Sequence, residues 1–227
     1  MPNSRSDLVI LGAIDDSLVR HLTEELRDDR YQRHIPLRLF ISSPGGSMPL
    51  ALAVARLLLS LFEHIETYNL ATVDSAAVCL YLTGSKRHSF AGSRFFLHPA
   101  SISLTQPVTE EQLRENIRLI RSDTESMIRF YRERTNLDEA TLRHWFTTPT
   151  VFTGDEAVAQ GIATDLCTRI DDFSPHYLSS DLPLPLGDMA PAVPGARPEL
   201  PSSLPLRNGT AQPPRDEPSG DCSVIAP

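Results

Sequence analysis

The chain opens with a short apolar run, Leu8–Leu11, that stops at Gly12. Leu18, Leu22 and Leu26 then recur at the spacing of an amphipathic helix, with Asp16 or Ser17 as its cap and the charged Arg27–His34 as its exposed end and a loop. Leu37–Ile41 alternates Leu37, Leu39 and Ile41 against Arg38 and Phe40, the period of a strand. Ser42–Gly46 breaks the chain, and Ala51–Phe62 follows as an apolar helix. A second unit repeats the shape: strand Glu66–Val73, turn at Asp74-Ser75, uncharged helix Ala76–Leu82. After a basic turn at Ser85–His88, a third strand is expected over Arg94–Leu97. Strands and helices alternating at these lengths predict an α/β fold of parallel strands joined by crossovers. In such folds the turns that follow the strands line one edge, where ligands collect. Gly46, Ser75 and His98 each fall just beyond a strand and are expected on that edge.

Val108–Thr135 reads as one long helix, capped by Thr109, with Glu110 and Glu111 in its first turn. Leu113, Ile117, Ile120, Met127 and Tyr131 form a stripe along it. From about Asp172 the composition turns to Pro, Ser, Gly and Ala with isolated Leu and no sustained period, which predicts a disordered Pro-rich tail over 172–227 behind a folded domain at 1–171.

Composition narrows the function. The 227 residues suffice for one well-buried domain, and 41% hydrophobic with 22% charged residues is the balance of a soluble globular protein. A net charge of −8 offers no basic field for a phosphate backbone, so nucleic acid is not an expected partner. Cys79, Cys167 and Cys222 are odd in number and scattered, which fits a reducing compartment and neither a disulfide framework nor a zinc site. Met1–Asp7 is polar, with no apolar stretch behind it, and no apolar run is long enough for a bilayer. The expectation is a soluble cytoplasmic protein with no membrane contact, no metal and no cofactor.

The candidate chemistry lies in two turns and one strand end. Ser75 stands at a strand-to-helix junction, beside the free N–H groups of a helix's first turn. By itself it, or Asp74, reads as an ordinary N-cap. Gly45-Gly46 allows backbone N–H groups to approach a ligand with no Cβ in the way. His98 could take the proton of a serine hydroxyl, which is a poor nucleophile until an imidazole does so.

Five stretches in register carry a family resemblance: F-I-S-S-P-G-G at Phe40–Gly46, the serine of V-D-S-A-A, the turn at Gly84–Arg87, S-R-F-F-L-H at Ser93–His98, and G-D-E-A-V-A-Q-G-I-A at Gly154–Ala163. From roughly Leu8 to Ile170 the chain resembles the proteolytic subunit of the Clp protease, a serine peptidase family with a ClpP/crotonase-like fold of repeated strand-strand-helix units and a long handle helix. The resemblance implies Ser75 as nucleophile, His98 as general base, and the N–H groups of Gly46 and Ala76 as the oxyanion hole. It also implies a peptide or unfolded-protein substrate and a ring-shaped homo-oligomer. An AAA+ unfoldase or a paralogous Clp subunit is the further partner it suggests.

Three departures stand against this pattern. Asp74 precedes the nucleophile where the family has a small residue, which puts negative charge near the oxyanion and opposes catalysis unless the side chain points away or caps the helix. Pro99-Ala100 follows the histidine in place of Gln-Pro. The position of the triad's acid aligns with Pro149, among Thr147, Thr148 and Thr150, with no carboxylate there. Thr148, Thr150 and Asp155 are the candidates for the third position, Asp155 being placed by the alignment at a helix start. The expected machinery is therefore a Ser–His dyad of reduced activity, and the alternative is a non-catalytic or weakly active ring subunit paired with an active paralogue. A crotonase-type acyl-CoA enzyme is disfavoured because no stretch reads as a pocket for an adenine diphosphate. A Ser–Lys peptidase would need Lys86, the only lysine, from what reads as a solvated turn.

Overall fold

Eight strands and six helices alternate along residues 5–173 and 175–179, the part of the chain that the computed structural model describes. In order they are β1 (Ser6–Leu11), α1 (Asp16–Glu25), β2 (Leu37–Ser43), α2 (Met48–Leu61), β3 (Ile65–Asp74), α3 (Ala77–Tyr81) and β4 (Lys86–Phe90). There follow β5 (Arg94–Leu97), α4 (Glu110–Arg134), α5 (Glu139–Trp145), β6 (Thr150–Thr153), α6 (Gly154–Ala159), β7 (Asp165–Cys167) and β8 (Pro175–Ser179). The strands form one sheet in the order β6-β5-β3-β2-β1-β8, with β4 beside β3 and β7 beside β4. Every pairing is parallel except β5 with β6.

The central strands are covered on both faces, and their sequences show why. Leu8, Leu37, Leu39, Phe40 and Ile41 have no exposed surface, the near-continuous apolar run that a parallel sheet needs. Leu8, Leu39 and Ile41 face a large core shared with α1, α2, α3 and the inner half of α4, whereas Val9, Phe40 and Tyr68 form a smaller cluster. Arg38, on the polar phase of β2, is buried at 2% exposure. Its guanidinium donates to both Asp7 carboxylate oxygens, at 2.7 and 2.6 Å, and to the carbonyls of Asp171 and Asp172.

Several expected elements shift. The cap of α1 is Asp15, whose carboxylate accepts from Leu18 N–H, one residue before the expected Asp16. The expected basic turn at Ser85–His88 is largely strand: Lys86–Ser89 pair with Glu66–Asn69 of β3. Its charged residues hid it, because Lys86 stays exposed while Ser89 alone is fully buried. β8 pairs with β1 from Asp7↔Pro175 to Leu11↔Ser179, beyond the expected domain boundary at 171/172. The remainder of the expected tail, with Cys222, lies outside the described residues.

The stripe on α4 divides. Met127 and Tyr131 are buried in the core, but Leu113 and Ile117 are 45% and 41% exposed, because the outer half of the helix runs past the body it packs on. Among the described residues, no helix is long and apolar enough to cross a membrane.

Candidate active site

The site is built where β2, β3 and β5, three adjacent parallel strands, reach their C-terminal ends. After β2 the chain turns through Gly45 and Gly46, whose φ angles of 91° and 147° lie in the region that favours glycine. Gly46 forms a parallel bridge with Ile14: Ile14 N–H donates to the Gly45 carbonyl and Ser47 N–H donates to the Ile14 carbonyl, both at 2.8 Å. That bridge uses the groups on either side of Gly46. Its own N–H has no hydrogen-bond partner among the described residues. A Cβ on Gly45 would lie 2.7 Å from both the Asp74 carbonyl and the Ser75 Cβ, so this turn lies flush against the serine.

Ser75 ends β3 in a left-handed conformation, φ 54°, one of two non-glycine residues with positive φ in the described chain. Such a backbone is costly for a residue with a Cβ and is kept where surrounding contacts enforce it. Here the enforcing contacts are Gly45 on one side and the 2.6 Å hydrogen bond from Ser75 N–H to the Phe96 carbonyl on the other. Ala76 follows as the N-cap of α3, and its N–H also has no partner among the described residues. Every side chain of α3 is buried. At its far end Arg134, from the last turn of α4, donates to the Leu82 and Thr83 carbonyls at 3.0 and 2.9 Å. Cys79 on this helix is no rival nucleophile, because burial pushes its thiol up to about 12.

His98 follows β5. Its ring stacks on Phe96 with centroids 5.1 Å apart, and Nδ1 lies 2.8 Å from the Pro99 carbonyl. A carbonyl can only accept, so this bond places the proton on Nδ1 and leaves the Nε2 lone pair free. Among the described residues no hydrogen bond joins Ser75 Oγ to His98 and no carboxylate touches the ring. The pairing of β5 with β6 ends at Leu97 and Thr150, and the next residues on the two chains are His98 and Pro149, with Thr148 just beyond. Thr150 Oγ1 donates to the Thr148 carbonyl at 2.8 Å. Asp155 stands in the first turn of α6, next to the end of β6 where Thr153 pairs with Arg94. That is the opposite end of β5 from His98, roughly 13 Å away at about 3.3 Å per residue. Lys86 pairs opposite Glu66, eight residues before Asp74 on β3, roughly 26 Å along the strand, so it is no base for Ser75.

The family model for Clp protease matches residues 3–169. The chain belongs to the Clp protease family. It is 31% identical over 166 residues to the ATP-dependent Clp protease proteolytic subunit 4 of Rhodococcus jostii, spanning 70% of this chain and 83% of that one. It is 32% identical over 175 residues to subunit 2 of Streptomyces avermitilis, at 71% and 82% coverage. A solved ClpP1 point mutant from Listeria monocytogenes shares the fold, with a TM-score of 0.63 over 74% of this chain and 94% of that chain at 20% identity. Clp proteases are serine peptidases.

Within this Clp protease fold two partners escaped the sequence. Asp74, expected to oppose an oxyanion unless its side chain points away or caps the helix, is bonded to Arg94: Nη2 donates to Oδ2 at 2.7 Å and Nε to Oδ1 at 3.5 Å. The signal was two opposite charges, one at the end of an expected strand and one at the start of another, but joining them needed the strand order and register, Thr72↔Arg94 and Asp74↔Phe96. The Pro99 carbonyl as the partner of Nδ1 left no signal, because any residue carries one. Among the described residues, no group of three His, Cys, Asp or Glu could hold a metal ion.

Proposed function

We propose that the chain is a serine endopeptidase of the Clp type, in which Ser75 attacks the scissile carbonyl and His98 acts as general base. The observation that carries this reading is the meeting of two turns: a serine held at positive φ against Gly45, with the N–H groups of the residues that follow each, Gly46 and Ala76, unpartnered among the described residues. As Oγ bonds to the carbonyl carbon, its proton passes to Nε2, and the oxyanion takes the two N–H groups. Collapse breaks the C–N bond, the leaving amine takes the proton from Nε2, and water hydrolyses the acyl-enzyme by the same route. The Pro99 carbonyl fixes the tautomer that the missing acid would fix, but it is uncharged and cannot balance an imidazolium. Thr148 and Thr150 add only hydroxyls near that end of β6. The proposed machinery is thus a dyad of reduced turnover. Its substrates are peptides or unfolded proteins in the cytoplasm, and its assembly is a ring that works with an AAA+ unfoldase.

A fluorophosphonate that bonds covalently to serine tests the reading. Wild type is expected to label at Ser75 and Ser75→Ala not to label; equal absence of label in both would overturn it. The uncharged surroundings of His98 favour one second reading, a weakly active subunit that assembles with an active Clp paralogue. Turnover appearing only on mixing with such a paralogue would select it.

A further inference from the structure

We infer that Arg94 is a positioning residue of the site, which cancels the charge of Asp74 so that the oxyanion can form; this rests on the peptidase reading above. Asp74 is bonded directly to Ser75, two residues from the Ala76 N–H, and its side chain is only 6% exposed. A buried carboxylate there would oppose negative charge developing on the substrate oxygen, and protein interior screens it far less than water does. Arg94 meets it from the neighbouring strand. Asp74 stands directly opposite Phe96, and Arg94 lies two residues back along β5, so the guanidinium draws the carboxylate diagonally towards the start of that strand, away from His98 at its other end. Arg94 is itself 56% exposed, so the pair joins a solvated cation to a buried anion. Its removal strands the anion.

The rate constant for phosphonylation of Ser75, measured on the full chain with a saturating fluorophosphonate, tests this. In the labelling step Oγ bonds to phosphorus, fluoride leaves and the proton goes to His98, so the phosphoryl oxygen mimics the oxyanion. Arg94→Gln is expected to slow this rate constant roughly ten- to a hundred-fold, with the final extent of labelling unchanged. Asp74→Asn in the same chain should return it to within about threefold of wild type. A purely structural role would instead reduce the fraction of labelled protein at an unchanged rate, and that result overturns the inference. So does an unchanged Arg94→Gln, a slow rate that Asp74→Asn fails to rescue, or a faster one, which would mean that the freed carboxylate serves the His98 imidazolium. If Arg94→Gln alone does not fold, the double variant is compared with Asp74→Asn, where loss of Arg94 should be silent and a slowed rate overturns the inference. Wild-type labelling with an indifferent Arg94→Gln leaves the peptidase reading standing, whereas an unlabelled wild type removes both.

Discussion

At the scale of single residues, the His98 ring stacks on Phe96 and bonds the Pro99 carbonyl, and neither partner carries charge. In the proposed mechanism the proton that Ser75 gives up would reside on an imidazolium with no counterion among the described residues. In a Ser-His-Asp triad, replacing the acid by its amide costs about 10⁴ in turnover. For the proposed dyad Pro149 is the position at which to restore an acid, because it precedes Thr150, the last β6 residue paired with β5, just as His98 follows its partner Leu97. Pro149→Asp should raise the rate of Ser75 labelling by about ten- to a thousand-fold, short of the full triad effect because Nδ1 must leave Pro99 to use it. An unchanged rate would mean that the ring does not reorient. Much of this site was legible, since the P-G-G turn, the serine before an uncharged helix and the histidine after a strand each carry a local signature. What was not legible depends on which atoms two strands bring side by side, as with Asp74 and Arg94.

Among the elements, the short helices α5 and α6 are fixed by capping more than by length. Asp138 caps α5 by accepting from Thr141 N–H, and Thr153 with Glu156 forms a capping box at α6. Hydrogen bonds from the Thr141 and Thr153 backbone hold the carboxyls of Asp138 and Glu156 below their usual range, and the Arg143 guanidinium does the same for Glu125 on α4. A carboxylate with a depressed folded-state pKa lends stability that is complete above its unfolded value, about 4, and is lost as pH falls through the folded one. The melting temperature should accordingly hold from pH 7 to about 5 and fall below about 4. In Asp138→Ala the acid limb of that profile should be shallower, as differential scanning fluorimetry would read. The elements that escaped the sequence did so for physical reasons. β4 presents Lys86, Arg87 and His88 at partly exposed positions, so it lacks the apolar run of its buried neighbours. β8 begins at a proline in a stretch whose composition reads as tail.

For the molecule as a whole, α4 is half inside and half outside. Its inner end holds Arg134 on the carbonyls that close α3, while Leu113 and Ile117, one turn apart on the outer half, are 45% and 41% exposed. Exposed apolar side chains one turn apart on a helix face are what an interface between subunits covers. If the proposed ring is held there, Ile117→Arg should weaken assembly by about tenfold or more, seen by sedimentation as smaller species at a given concentration, with the fold intact. An unaltered size distribution would place the contact elsewhere.

The Arg38 guanidinium has a practical bearing on anyone shortening the polypeptide. The matched family region stops at residue 169, yet the buried cation draws two of its bonds from carbonyls at 171 and 172. A version trimmed to the family boundary would strip those acceptors from an ion sealed beneath the sheet, so a well-behaved minimal form has to end past the last hydrogen-bonded strand, after Ser179.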